Sequence, residues 1–200
     1  VFRMYQNDLQ DWTFVMAGAL DPNMEDYFNE LTYRAAPRVT QFYMNPTDLE
    51  LASLYGRASF YWHATGISLP HIPSAQEHLG LAPLEAQAAG CVPVVFNSGG
   101  MPEVVIHGKT GALVDDARQL GQITVQLSRD WSAWSGLSQQ GMRWAKKWMD
   151  FEAFKTRLIY SLAGMPIPEL PDYEIEAPSP KDVTAVIPTW NNPDMLKRCL

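Results

Sequence analysis

Short apolar runs alternate along the chain with longer stretches whose apolar residues recur every three or four positions. Runs at 12–17 (WTFVMA), 59–63 (SFYWH), 92–96 (VPVVF) and 182–188 (DVTAVIP) read as strands, as does 39–43. The run at 92–96 is apolar throughout, the pattern of a strand covered on both faces. Between these runs lie helical segments. The first, 23–36, has Glu25, Asp26 and Glu30 early and Arg34 late, which suits the helix dipole. The second, 46–58, opens with Pro46, and Leu49, Ala52, Leu54 and Tyr55 mark its apolar side. The third starts with Pro83 as its first residue and stops at Gly90. Asp115 and Asp116 can cap a helix reaching about Arg129, and Asp150 caps one over 151–162. The stretch 131–148 carries Trp131, Trp134, Trp144 and Trp148, a stripe expected to pack into the core. Residues 1–10 read as the tail of a helix, 102–106 as a short helix or turn, and 107–114 as a glycine-punctuated hairpin. Strand and helix in alternation predict an α/β fold, a parallel sheet with helices on both faces.

The segment 74–103, SAQEHLGLAPLEAQAAGCVPVVFNSGGMPE, concentrates the candidate chemistry. Gly80 and Leu81 bring unpaired amides to a helix N-terminus, a natural seat for phosphate. A glycine at position 80 lets the backbone approach a ligand with no Cβ in the way. Residues 97–100 follow the 92–96 strand at its C-terminal end, where ligands sit in open parallel sheets. A carboxylate beside a phosphate seat is electrostatically unhelpful, so Glu85 suits hydroxyl groups, as an acid does on a ribose. Glu77, across the glycine, would face whatever lies beyond the phosphates. A nucleoside diphosphate sugar satisfies both demands. On spacing alone, an acid that only favours the helix dipole and a solvated loop acid remain an equal alternative. His63 ends the strand before this loop; it could approach a ligand, but a hydrogen-bonded structural histidine is the simpler reading. Residues 66–76 read as a flexible rim beside a cleft.

With 46% hydrophobic residues in 200, the chain can bury one substantial core. A net charge of -7 and a pI near 5.0 argue against nucleic acid and anionic membrane surfaces as partners. An anionic ligand must therefore rest on local amides and a few cations. Cys91 and Cys199 offer neither a disulfide framework nor metal spacing, and Cys91 reads as a small core residue. No apolar run approaches a membrane span and no signal peptide opens the chain, so a cytoplasmic location is expected. After Gly164 the composition changes. Residues 165–181 hold Pro166, Pro168, Pro171, Pro178 and Pro180 among Glu169, Asp172, Glu174 and Glu176, an acidic and extended linker. A new strand then begins, with a loop at 189–192 and the start of a helix at 193–200.

The run EHLGLAPLEAQAAGCVPVV followed by GGMPEVVIHGKTGALV resembles the C-terminal domain of family-four retaining glycosyltransferases of the GT-B type. Their signature is a glutamate, seven residues, a second glutamate, a small-residue helix, a strand and a Gly-Gly-x-x-Glu turn. Glu77, Glu85, Gly99, Gly100 and Glu103 match it, with Gly108, Thr110 and Gly111 beyond, over about forty residues. The resemblance implies a Rossmann-like sheet in the C-terminal half of a GT-B fold, spanning 1–164. It implies transfer of a sugar from a UDP-sugar or GDP-sugar with retention of configuration. Glu77 would touch the sugar hydroxyls near the reaction centre, the catalytic position, and the amides of Leu79 and Gly80 would help hold the sugar. Leu81 and Ala82 would meet the distal phosphate and Glu85 the ribose, with His78, Gly99 and Gly100 completing the donor site. Residues 41–45 would lie near the base. Leu79 stands where the family usually has an aromatic residue and His78 where glycine is commoner, which bears on sugar identity rather than fold.

No metal and no cofactor are implied for this domain. The resemblance puts the acceptor, a glycan or lipid, on an N-terminal domain, and an arginine and a lysine that face the diphosphate in an early loop of this domain, upstream of Val1. This stretch alone is accordingly expected to be inactive. The final helix, 151–162, would pack back toward that domain. VTAVIPTWNNPDMLKRCL, about eighteen residues, resembles the opening of family-two glycosyltransferases of the GT-A type. It makes 182–200 the start of an adjacent transferase domain in the same chain, which would then be an internal piece of a longer protein. Two rival readings remain. One is a catalytically silent nucleotide-sugar-binding or scaffold module, against which Glu77 and Glu85 speak. The other is a pyridoxal phosphate-dependent phosphorylase, for which Lys109 is the only nearby lysine.

Overall fold

A computed structural model describes residues 1–19, 23, 25–35, 39–170, 173–176 and 178, together with the backbone of 183–189. Six strands form one sheet: β1 (Phe14–Gly18), β2 (Thr40–Met44), β3 (Ala58–His63), β4 (Val92–Phe96), β5 (Ala112–Val114) and β6 (Val183–Thr189). Their order is β2-β1-β6-β3-β4-β5 and every pairing is parallel. Around the sheet lie α1 (Glu25–Arg34), α2 (Asp48–Arg57), α3 (Leu81–Ala88), α4 (Met101–Val104), α5 (Ala117–Ser128), α6 (Trp131–Met149) and α7 (Phe151–Leu162). The α/β expectation holds.

Alternation along the strands divides the core between two faces. Phe14, Met16, Phe60, Trp62, Val92 and Val94 point to one side, where Phe2, Leu120 and Trp134 meet them. Val15, Ala17 and Tyr61 point to the other, against Leu54, Tyr55 and Ala86. The first face holds two buried indoles, and each has an acceptor. Trp62 Nε1 donates to Thr124 Oγ1 at 2.8 Å, whose hydroxyl donates to Leu120 O at 2.7 Å; Trp134 Nε1 donates to Ser59 O at 2.9 Å. Cys91 is fully buried with its thiol against the carbonyls of Tyr55 and Ala58, the core role its position suggested.

Local signals read from sequence are realised with adjustments. Asp116 caps α5 and Asp150 caps α7, and a capping box of Thr47 and Glu50 starts α2 two residues after Pro46. Helix α3 begins two residues earlier than Pro83 implied. Pro83 is its third residue, still within the turn whose amides lack intrahelical acceptors, so the missing N–H again costs nothing. The helix ends in a Schellman arrangement: Gly90, with φ +86°, donates to Gln87 O and Cys91 to Ala86 O. Leu49 is exposed because α2 buries Leu54 and Tyr55 instead. Residues 1–10 form a short 3₁₀ turn, Phe2–Tyr5, and further turns, with Phe2 and Leu9 buried. The segment 107–114 is not a hairpin. After a turn at 108–110, residues 112–114 pair in parallel with β4, whose free edge offers a ladder that a self-paired hairpin would leave unused.

The strand expected to open a separate unit is present, and it runs between β1 and β3 in this same sheet. Beyond it, 190–200 lie outside the described residues. Helix α6 is pinned to α3 by Ser138 Oγ donating to Gly90 O at 2.5 Å, with Gly141 passing close to Gln87. One carbonyl, Val104 O at the end of α4, accepts from both Gln87 Nε2 at 3.2 Å and Trp144 Nε1 at 2.9 Å, tying α3, α4 and α6 together.

Replacing Thr124 by Val removes the acceptor of a fully buried indole N–H while keeping the side-chain volume. Chemical denaturation should show a loss of about 1–3 kcal/mol. Gly136→Ala on α6, where an added Cβ meets nothing within 4 Å, should instead gain about 0.5–1 kcal/mol.

Candidate functional site

The parallel strands deliver their following loops to one edge of the sheet. β3 ends at His63 and β4 at Phe96, and the loops beyond them, 64–80 and 97–100, are pressed together there. Gly99 has φ +56°, and a Cβ on it would lie 2.1 Å from Glu77 O; a Cβ on Gly100 would lie 2.2 Å from His78 O. Gly100 N donates to Glu77 O at 2.8 Å. The double glycine, predicted as part of a donor site, therefore acts here by letting two backbones touch. The rim at 66–76 is held by its own bonds: Gln76 Nε2 donates to Leu69 O at 2.6 Å and to Ile72 O at 3.1 Å, and Ser98 Oγ meets Gln76 Oε1.

Glu77 is the best-anchored acid of the site. Its Oε1 accepts from the amides of Leu79 and Gly80, each at 3.2 Å. Its Oε2 lies 3.5 Å from His63 Nε2, a close polar contact longer than an ordinary hydrogen bond. The His63 imidazole, more than any other group, holds the carboxyl down at about 2; the two amides help and partial burial opposes. On its far side, His63 Nδ1 is 3.4 Å from the hydroxyl of Tyr61. Tyr61 is fully buried and burial pushes its hydroxyl well above the ordinary phenol range, so it stays an O–H that can donate to Nδ1. With Nδ1 accepting from Tyr61, the Nε2 nitrogen carries a proton toward Glu77. The chain Tyr61, His63, Glu77 and the amides of Leu79 and Gly80 fixes one ionised carboxylate at the start of α3.

Gly80, with φ +72°, is the N-cap of α3, and no side chain caps that end. The first-turn amides of Leu81 and Ala82 lie at this uncapped terminus, where positive potential gathers. Glu85, the fifth residue of α3, occupies a different environment. It lines an open pocket of about 470 Å³ with Asp48, Leu51, Tyr55, Ala88 and Met149. Burial, then the nearby Asp48, raises its carboxyl above the ordinary range. At the other end of the 78–85 segment, His78 and Gly99 line a second cleft of about 510 Å³ with His71, Gln76, Phe96 and Asn97. Leu79 and Leu81 remain exposed, 61% and 55%, at the mouth between them.

The sequence thus placed Glu77, His78, Leu79, Gly80, Leu81, Ala82 and Glu85 around one helix start, and the structure brings them together there. It missed three contributors. His63, read as structural, is the partner of Glu77; the clue was a histidine closing a buried strand directly before the glutamate loop. Asp48 and Tyr55 on α2 wall the pocket beside Glu85, and Tyr43 packs against the core. The tryptophan stripe divides: Trp134 is core, whereas Trp148 is 45% exposed and stands beside His78 and Leu79. Among the described residues no group of three His, Cys, Asp or Glu side chains is placed to hold a metal, and no helix is long and apolar enough to cross a membrane.

Gly100→Ala forces its Cβ into His78 O, a backbone atom that cannot swing away. The variant should lose about 1–3 kcal/mol in denaturant melts. His63→Phe should move the Glu77 carboxyl upward, read by carboxyl-detected NMR titration. Because the folded-state value is depressed, the stability Glu77 contributes is present above about pH 4.5 and fades as the pH falls toward 2. Part of the melting-temperature gap between wild type and His63→Phe should close over that same window.

A family model described as "Glycosyl transferases group 1" matches residues 1–124. Glycogen synthase 2 of Rhizobium meliloti is 34% identical over 91 residues, covering 38% of this chain and 19% of that protein. The GDP-mannose-dependent alpha-(1-6)-phosphatidylinositol monomannoside mannosyltransferase of Mycobacterium tuberculosis is 32% identical over 90 residues, covering 44% of this chain and 23% of that protein. The match thus spans about a fifth of the length of these curated relatives. The crystal structure of Anabaena HepE in complex with UDP superposes with a TM-score of 0.62 at 21% identity, over 80% of this chain and 45% of that one. At that identity the likeness is one of fold, a GT-B glycosyltransferase fold. Carrying the family's pattern over more than half its length, on that fold, the chain belongs to the group 1 glycosyltransferases.

Proposed function

We propose that this chain binds the nucleotide-sugar donor for a retaining glycosyltransferase, the acceptor being held by another part of the enzyme. One observation carries the reading. An ionised Glu77, pinned by His63, stands at an uncapped helix start, while a second acid, Glu85, faces a separate pocket five residues into that helix.

The distal phosphate of the donor sits at the amides of Leu81 and Ala82, where the helix start favours anions without a metal. The ribose hydroxyls donate to Glu85 in the pocket walled by Asp48 and Tyr55. The sugar lies toward Glu77 and His78, in the cleft closed by Gly99 and Gly100. Leu79 and Gly80 amides, which Glu77 engages, hold that carboxylate against the sugar hydroxyls. In the transfer step the bond between the anomeric carbon and the phosphate oxygen breaks, and the acceptor oxygen forms a new bond on the same face. The diphosphate departs with its charge met by the amides, and the acceptor's proton leaves with it.

Glu77 and Glu85 support catalysis over a silent scaffold, since a scaffold has no use for a carboxylate held ionised at the sugar. The apolar face of α7, with Phe151, Phe154, Leu158 and Leu162 exposed, is consistent with a second half of the enzyme docking there. The division into 1–164, a linker at 165–181 and a further transferase unit from 182 is proposed on composition and resemblance alone, since β6 pairs within the first unit's sheet.

One similar structure holds UDP and one similar enzyme is GDP-mannose-dependent, so calorimetric titration should use UDP-glucose and GDP-mannose in parallel. One of the two should bind, and Glu85→Ala should weaken it by about 1–3 kcal/mol for the lost hydroxyl contacts. Donor affinity unchanged in Glu85→Ala would refute the placement. Sugar transfer by this chain alone is not expected, and its detection would show that no second half is required.

A further inference from the structure

A pocket of about 260 Å³ opens between α6, the turn before β5 and the linker, and it shares no lining residue with the clefts around Glu77 and Glu85. Its chemistry is unlike theirs. Lys109, Arg143 and Lys147 line it together with Thr110, Trp144 and Tyr173, and among the described residues no acid lines it. In a chain of net charge -7, three cations converging on one cavity is a local reversal of sign. Among the described residues none of the three forms an ion pair. The Nε of Arg143 is buried with no acceptor, although its N–H must point somewhere and a lost acceptor is unfavourable in a buried site.

The walls are fixed rather than adaptable. Trp144 already donates its Nε1 proton to Val104 O at 2.9 Å, so its ring faces the cavity only as a surface. Gln139 Nε2 donates to Ile175 O at 2.6 Å, and Lys146 Nζ sits 4.4 Å from the centre of the Tyr173 ring. These contacts hold the linker against α6 and make Tyr173 a wall. The linker acids Glu174 and Glu176 flank Ile175 but are exposed and do not line the pocket.

We infer that this pocket binds a small organic phosphate. Its phosphate lies among Lys109, Arg143 and Lys147, taking the free Nε–H of Arg143, and its ring lies against Trp144 and Tyr173. A phosphate dianion matches three unpaired cations better than a single carboxylate does, and the guanidinium fork suits phosphate oxygens. An apolar ring surface on either side suits the faces of a sugar ring. The site is separate from the donor cleft proposed above and does not depend on that reading.

The test is calorimetric titration of the protein at low salt with glucose 1-phosphate, beside glucose, glucuronate and inorganic phosphate. Glucose 1-phosphate should bind saturably, more tightly than inorganic phosphate or glucuronate, and added salt should weaken it. Arg143→Gln should weaken it by about tenfold or more, the expected scale for a charge-assisted contact. Lys109→Gln, on an exposed turn outside the α6 packing, should do likewise, which separates lost binding from a misfolded helix. Glu85→Ala should leave the affinity unchanged. No saturable binding, or an affinity unchanged from wild type in both cation variants, overturns the inference. Affinity lost in Glu85→Ala instead would place the phosphate in the donor cleft and overturn it too. Inorganic phosphate binding as tightly as the ester would rule out a ring-bearing ligand.

Discussion

The site depends on how closely two backbones can lie. At Gly99 and Gly100 the loop after β4 runs so close that an added Cβ would lie only 2.1 Å from Glu77 O or 2.2 Å from His78 O. With that contact made, Gly100 N binds Glu77 O and the main chain at 77–80 is held from behind. The carboxylate of Glu77 then turns toward its own downstream amides and toward His63. Separate the loops and the acid loses its direction, the left-handed Gly80 loses its support beside Met101, and α3 no longer starts where its amides converge.

On this frame two acids of the same family motif are given opposite environments. Glu77 is surrounded by donors and kept ionised, whereas Glu85 sits beside Asp48 and is pushed the other way. On the proposed function the difference is useful, because a carboxylate facing a sugar and one facing a ribose have different tasks. On that proposal an acidic protein receives an anionic ligand through amides at one helix start, over a few ångströms, rather than through the charge of the whole molecule.

Helix α6 links these parts. Trp134 anchors it to β3, Ser138 to the end of α3, Trp144 to α4, and Trp148 reaches the neighbourhood of His78. Its intervening positions Arg143 and Lys147 face a different cavity. One stripe thus sets the depth of the core at one end and borders the ligand edge at the other, because residues three and four apart share a face for the whole length of the helix.

What the sequence determined by itself was mostly local or linear. The apolar run at 92–96 and the caps Asp116 and Asp150 act through neighbours in the chain, and their elements appear as read. The two glutamates, the glycine between them and the double glycine were legible because a motif preserves spacing, and spacing along one loop and one helix nearly fixes relative position. Contacts between distant segments were not legible. Nothing in the residues around His63 names Glu77 as its partner, fourteen positions on, until β3 and the loop are brought to one sheet edge. Asp48 and Tyr55 meet Glu85 only because α2 packs beside α3, and 112–114 becomes a strand only because β4 offers it a free edge. The cations at 109, 143 and 147 look in sequence like ordinary solvated charges. Tertiary structure decided these, because the energy of burying or pairing a charge depends on what lies across space from it, which the order of residues along the chain does not record.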